Sequence, residues 1–220
     1  MNARTMGTVS VVVFALAAAG ALGCALTEKA EALDVHYFTA ETTARLAPSS
    51  APTATPAPGA DAGAAMPPAL RLGRVSGGAH LGKKVVYRSS SVELGMYDDK
   101  RWTERPDEYV RRSISAALFD TERATQSLSG GSATLDLELL AFEEIVQKDK
   151  PSKGRVSLRY SLHDEQSVLV SDVVTVEIDA PSADTDKVVR AISEALSQVS
   201  EQVAERVSVR LDRATKTAER

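Results

Sequence analysis

The chain has 220 residues, enough for one domain with appendages, and its 43% hydrophobic and 25% charged residues are ordinary for a globular protein. Aromatic residues make up only 5%, so a core must rest mainly on Val, Leu, Ile and Ala, and the formal net charge of −4 lacks the basic excess that nucleic-acid binding needs. The single cysteine excludes an intramolecular disulfide.

That cysteine, Cys24, closes an N-terminal segment with a telling layout. Arg4 is the only charged residue before Glu28, and residues 9–22 form an uncharged, largely apolar run that ends in small residues. A charged start, an apolar middle of about 7–15 residues and small residues at a cleavage point make a secretory signal. The run is short of the roughly 20 residues that a membrane-spanning helix needs. Ala21-Leu22-Gly23-Cys24 resembles the lipobox of bacterial lipoproteins, with small Gly23 directly before the cysteine and Leu22 one place later than usual. The resemblance implies a signal peptide over residues 1–23, cleaved before Cys24. Cys24 would then be the lipidation site, with diacylglycerol on its sulfur and an acyl chain such as palmitate on its new amino group. Several chains make such an anchor effectively stable. Ala25 stands where, in families that sort by this position, Asp retains a lipoprotein at the inner membrane. It therefore implies the inner leaflet of the outer membrane, facing the periplasm.

Residues 24–33 read as a lipidated polar tether. Residues 34–46 hold a first strand region, in which Val35, Tyr37 and Thr39 alternate with His36 and Phe38. Residues 47–69 are rich in Ala, Pro and Ser and contain six of the nine prolines. Such a stretch has too few large apolar side chains to offset its ordering entropy and is expected to be disordered. It is either an extension of the tether or a loop inside the domain.

A globular pattern runs over residues 70–211. Leu70, Leu72 and Val75 suggest a strand, Gly77-Gly78 a turn, Val85 and Tyr87 a second strand, and Val92, Leu94 and Met96 a third that ends at a turn over Asp98-Asp99-Lys100. Residues 104–119 have helical spacing, with a stripe of Val110, Ile114, Ala117 and Leu118 and with Arg111, Arg112, Ser113 and Ser115 off it. Thr103 is the expected N-cap, and Glu104, Asp107 and Glu108 place negative charge at the positive end of the dipole. After the break at Ser129-Gly130-Gly131-Ser132, Leu135, Leu137 and Leu139 alternate and then slip phase to Leu140 and Phe142, which predicts a bulge. Val156, Leu158, Tyr160 and Leu162 make the next strand. Val168, Val170, Val174, Val176 and Ile178 make the last, where Asp172 interrupts the row and predicts a register shift or an exposed edge. From about Asp184, Val188, Ile192, Ala195, Leu196, Val199, Val203, Val207 and Leu211 keep helical spacing throughout, leaving residues 212–220 as a tail. The order predicts an α+β fold: a single mostly antiparallel sheet with two helices packed on one face.

Motifs for chemistry are missing. His36, His80 and His163 fit no metal spacing, and neither HExxH, a P-loop nor GxSxG occurs. Glu143-Glu144 and Asp98-Asp99 read as solvated charge, and His163-Asp164-Glu165 as a polar turn. Lys83-Lys84 with Arg88, and Arg111-Arg112, read as ordinary surface charge that could also meet anionic headgroups. No catalytic residue, metal site or cofactor is assigned.

Taken together, Cys24, Tyr37-Phe38, Val86-Tyr87, the strand through Val92-Glu93-Leu94, Trp102, and Val110, Ile114 and Leu118 resemble the ABC-type transport auxiliary lipoprotein family, the PqiC-like lipoproteins. The Leu-x-Leu strand with Phe142-Glu143 and the long terminal helix fit as well. His36 in place of Tyr, Pro106 one place late after Trp102, and the Ala/Pro-rich insertion depart from the pattern. The resemblance implies a non-enzymatic, lipid-anchored partner of an envelope lipid transporter, docking on an MCE-domain protein that works with an ABC permease and ATPase. Tyr87 and Trp102 are the candidate partner contacts, although a Trp just before a helix more often serves packing, and self-association as a homo-oligomer is compatible with the resemblance. The rival is an outer-membrane lipoprotein that regulates peptidoglycan synthesis, which would place the linker wholly before the fold.

Overall fold

In the computed structural model, described for residues 33–40, 66–128 and 130–218, strand β1 (His36–Phe38) is followed by β2 (Ala69–Gly77), β3 (Lys84–Arg88) and β4 (Leu94–Trp102). Helix α1 (Pro106–Ser115) continues into a π-helical turn at Ala116–Asp120. Then come β5 (Thr125–Gln126), β6 (Ala133–Ile145), β7 (Lys153–His163), β8 (Val168–Asp179) and helix α2 (Thr185–Ala218). The fold is α+β. The expected signal peptide, Cys24, the tether through residue 32 and residues 41–65 of the first strand region and the Ala/Pro-rich stretch lie outside the described residues.

One sheet is built around β6, the longest strand. One edge of β6 carries β7 antiparallel, and β7 carries β8 in the same way, in two long ladders that hold most of the residue pairs. The other edge is shared end to end by two parallel strands. Leu70 to Gly77 of β2 lie beside the first half of β6, and Val86 to Arg88 of β3 beside Glu143 to Ile145. Next to β3 runs β4, antiparallel, and β1 closes that side in parallel with β4, Phe38 beside Trp102. The short β5 lies parallel to β2.

The apolar periodicity explains the core. Leu139, Leu158 and Val174 are cross-strand neighbours on β6, β7 and β8, and Phe142, Val156 and Val176 form the next row, all buried. The ladder shifts register between Leu139 and Ala141, and the extra residue carries Phe142 back into the core. Along α2, every residue of the stripe from Val188 to Leu211 is buried. Each such aliphatic side chain contributes roughly 1.5–3 kcal/mol of burial. The helix lies so low over β7 that a Cβ added to Gly154 would collide with the Ile192 backbone nitrogen and the Ala191 carbonyl carbon. A glycine is required there by close approach.

Three local expectations are corrected. Asp98-Asp99-Lys100 is not a turn but lies within β4: β1 pairs from Lys100 onward, the ladder to β3 shifts register between Met96 and Arg101, and Lys84 Nζ holds Asp98 at 2.7 Å. Helix α1 starts at Pro106, whose fixed φ suits the first turn, so Arg105 is the cap residue and makes no side-chain cap bond. Thr103, the expected cap, instead bonds the Tyr109 hydroxyl at 2.7 Å and the Thr39 hydroxyl at 3.0 Å. Ser113, placed off the helical stripe, is buried, because α1 packs against both the sheet and α2. Asp172 keeps its register opposite Tyr160; β8 is the outermost strand on its side, and the acid reaches Arg206 of α2 at 2.7 Å.

Candidate functional site

The two residues singled out as partner contacts lie at opposite ends of the β3–β4 pair, Tyr87 beside Gly95 and Trp102 beside Lys83, in different environments. Trp102, the last residue of β4, has no exposed surface. Its ring meets Phe142 edge-on at 5.1 Å and Tyr109 of α1 at 6.2 Å, so it pins the helix start to the sheet. A side chain without accessible surface offers nothing to a partner, and for Trp102 the packing role replaces the contact role.

Tyr87 remains half-buried. Its ring lies over Gly95, its neighbour on β4, where a Cβ would meet the ring, and it tilts against Tyr97 at 4.8 Å. A large ring covering a cross-strand glycine restores the packing that the glycine lacks. The Tyr97 hydroxyl donates to Glu144 Oε2 at 2.9 Å, and Lys100 Nζ sits 3.7 Å from the centre of the Tyr97 ring. Burial, and then the hydrogen bond and negative charge of Glu144, push the Tyr97 phenol above its usual range. Tyr87, Tyr97 and Lys100 thus form a partly accessible aromatic–cation patch with a buried carboxylate beneath it.

The adjacent acids Glu143 and Glu144 overturn the reading as solvated charge: they are 0% and 6% exposed. They occupy opposite sides of β6, as neighbours on a strand must. Glu144 takes the Tyr97 hydroxyl. Glu143 accepts Arg88 Nε at 2.9 Å on β3 and Arg155 Nη2 on β7. Arg155 and Lys153 continue to Glu177 at 3.9 and 3.5 Å, so a charged row spans β3, β6, β7 and β8. A buried carboxylate survives because two guanidinium groups replace its water. Two acids inside the otherwise apolar run Phe142-Glu143-Glu144-Ile145 were the available signal. Their partners, 55 and 47 residues away for Arg88 and Tyr97, left no trace in local spacing.

The other charged pairs are similarly engaged. Lys83 Nζ donates to the Thr103 carbonyl, Lys84 binds Asp98, and Arg112 binds Glu104 at 2.5 Å. His163 Nε2 lies 3.1 Å from Asp136 Oδ2. Among the described residues no group of three or more His, Cys, Asp or Glu could hold a metal ion. No described helix is long and apolar enough to cross a membrane.

The family model described as ABC-type transport auxiliary lipoprotein component matches residues 47–204. The chain belongs to the ABC-type transport auxiliary lipoprotein family. As a member, it is a cell-envelope protein and an accessory to ABC-type transport. The matched span takes in β2 to β8 and most of α2, and with them Tyr87, Tyr97 and both buried acids.

Solved structures share the fold of this auxiliary lipoprotein. Protein XCC0632 from Xanthomonas campestris is similar at 20% identity over 70% of this chain and 93% of its own, with a TM-score of 0.62. A further uncharacterized protein is similar at 20% identity over 64% and 92%, with a TM-score of 0.55. No curated protein matches the chain.

Proposed function

We propose that this auxiliary lipoprotein acts by binding protein partners of an ABC/MCE-type envelope lipid transport system and not by catalysis. In this reading lipid on Cys24 holds the chain in the inner leaflet of the outer membrane, and the sheet–helix domain docks on an MCE-domain protein that works with the permease and ATPase. The half-buried patch of Tyr87, Tyr97 and Lys100 is the proposed contact on the β3–β4 side.

The family match over residues 47–204 carries the proposal. A topological observation favours it over regulation of peptidoglycan synthesis. Strand β1 hydrogen-bonds to β4 within the same sheet as β2, so the Ala/Pro-rich part of the sequence connects two strands of one sheet. A tether across the cell wall would instead lie wholly before the fold.

The decisive experiment is crosslinking in intact cells followed by co-purification with the full-length, lipidated chain. Recovery of an MCE-domain protein is expected. Recovery of cell-wall synthases without it would reverse the choice. Radioactive palmitate should label the wild type and not the Cys24→Ser variant; label retained by Cys24→Ser would remove the anchor from the proposal.

A further inference from the structure

The long open edge among the described strands belongs to β8, which pairs with β7 on one side only. Such an edge is a row of amide and carbonyl groups ready to pair with another chain. The bond from the Ala180 amide to the Ser152 carbonyl sets the alternation along the ladder to β7, so the amides of Ser171 and Val173 face the open side. That of Val173 is held by the carboxylate of Asp172 at 2.8 Å, which leaves Ser171 to offer its amide to another chain. The same carboxylate holds Arg206 of α2 at 2.7 Å. Val168 and Val173 are 63% and 41% exposed, apolar side chains on a strand that pairs with β7 alone among the described strands.

Along the first half of β8, between the strand and α2, runs an open groove of about 510 Å³. Leu169, Val170 and Val209 line it with apolar surface, and Arg206, Arg210 and Arg213 line it with positive charge. Those arginines follow the spacing of one helix face. Arg210 Nε donates to the Leu169 carbonyl at 2.8 Å, which holds its guanidinium at the strand edge. Glu205 is the one acid among the lining residues.

We propose that an extended segment of a partner protein, with carboxylates alternating with apolar side chains, adds to the open edge of β8 and lays its carboxylates against Arg206, Arg210 and Arg213. An added strand presents alternate side chains to one face, so one set meets the groove while the main chain pairs with the edge. The guanidinium groups match carboxylates in geometry and charge. An open groove leaves an acyl chain in contact with water along its length, which disfavours a lipid tail as occupant. The inference rests on the reading that this protein works through protein contacts, and it names a second contact surface, distinct from the Tyr87 patch.

The test uses the full-length protein in detergent and a fluorescein-labelled ten-residue peptide alternating Val with Glu, read by fluorescence anisotropy. The wild type should bind it, and binding should weaken with salt. Ser171→Pro removes an outward amide without touching the ladder to β7 and should weaken binding about tenfold, as should Arg213→Glu, each with unchanged circular dichroism. A peptide with Lys in place of Glu should not bind. Failure of the wild type to bind the Val–Glu peptide overturns the proposal. Binding that Arg213→Glu abolishes and Ser171→Pro leaves intact overturns strand addition. Vesicles of phosphatidylglycerol that compete the peptide away from wild type and Ser171→Pro alike would mark a headgroup site and also overturn it. The same two variants in the crosslinking experiment separate the layers: MCE-domain protein captured undiminished by both removes this surface and leaves the proposed function standing, whereas peptide binding with no such capture from the wild type removes only that function.

Discussion

The two sides of the sheet, on either side of β6, are held together by different chemistry. On the β7–β8 side long antiparallel ladders present aliphatic rows to one long helix, and the helix lies against Gly154 with no room for another atom. On the β3–β4–β1 side the ladders are short, and cohesion comes from Trp102, Tyr109 and Phe142 inside, with Tyr87, Tyr97 and Glu144 nearer the surface. Chain economy explains the contrast. A chain with 5% aromatic residues has concentrated rings where strands are short, since a ring buries more area per residue than an aliphatic side chain. The row from Arg88 through Glu143 to Arg155 ties the two sides together across β6.

Substitutions can break that contrast in turn. Trp102→Ala should cost about 3–5 kcal/mol, because it empties the aromatic side of its fully buried centre; urea denaturation would read it as a fall in midpoint. Gly154→Ala should cost about 3 kcal/mol on the aliphatic side, with the helix backbone forced away from β7. If Gly154→Ala unfolds at the wild-type midpoint, the close approach of α2 is not what seats that helix. Hydrogen exchange on both variants would show whether either side opens alone.

Smaller changes sharpen the link. Glu143→Gln keeps the shape but removes the charge between Arg88 and Arg155, and about 2 kcal/mol should be lost. The loss should be felt in strands on both sides, which amide exchange of β3 and β7 would report. Tyr97→Phe, which leaves Glu144 without the hydroxyl, should cost about 1 kcal/mol at neutral pH. It should also change the response to alkali. The folded phenol is held above its usual range by burial and by Glu144, while the unfolded phenol ionises near its ordinary value of about 10. Native stability is therefore intact below that value and falls as pH rises above it, and Tyr97→Phe should flatten that fall. Identical alkaline denaturation curves for the two proteins would rule out a structural role for the Tyr97–Glu144 bond.

The β7–β8 side was almost fully legible in the sequence. Alternation in Val156, Leu158, Tyr160 and Leu162, the phase slip that brings in Phe142 and the stripe from Val188 to Leu211 each state which atoms must leave water, and the structure buries them, while Leu140 at the slip itself stays half-buried. The β3–β4 side was legible only in part. Asp98-Asp99-Lys100 has the composition of a turn, and only the pairing of β3 at Met96 and Arg101 and of β1 at Lys100 keeps it within a strand. Trp102 could be read as surface or core, and packing against Phe142, 40 residues on, decided it.

By itself, then, the sequence determined the α+β order of elements, the face each long element buries and the membership in the auxiliary lipoprotein family, because each of these is written in periods of two or 3.6 residues or in motifs along the chain. Only the tertiary structure decided that β2 and β3 share one edge of β6, that Glu143 and Glu144 are interior, and that β8 is left open beside three arginines. A charge can be buried, and an edge left bare, only by what distant segments bring or fail to bring to it, and local spacing carries no record of that.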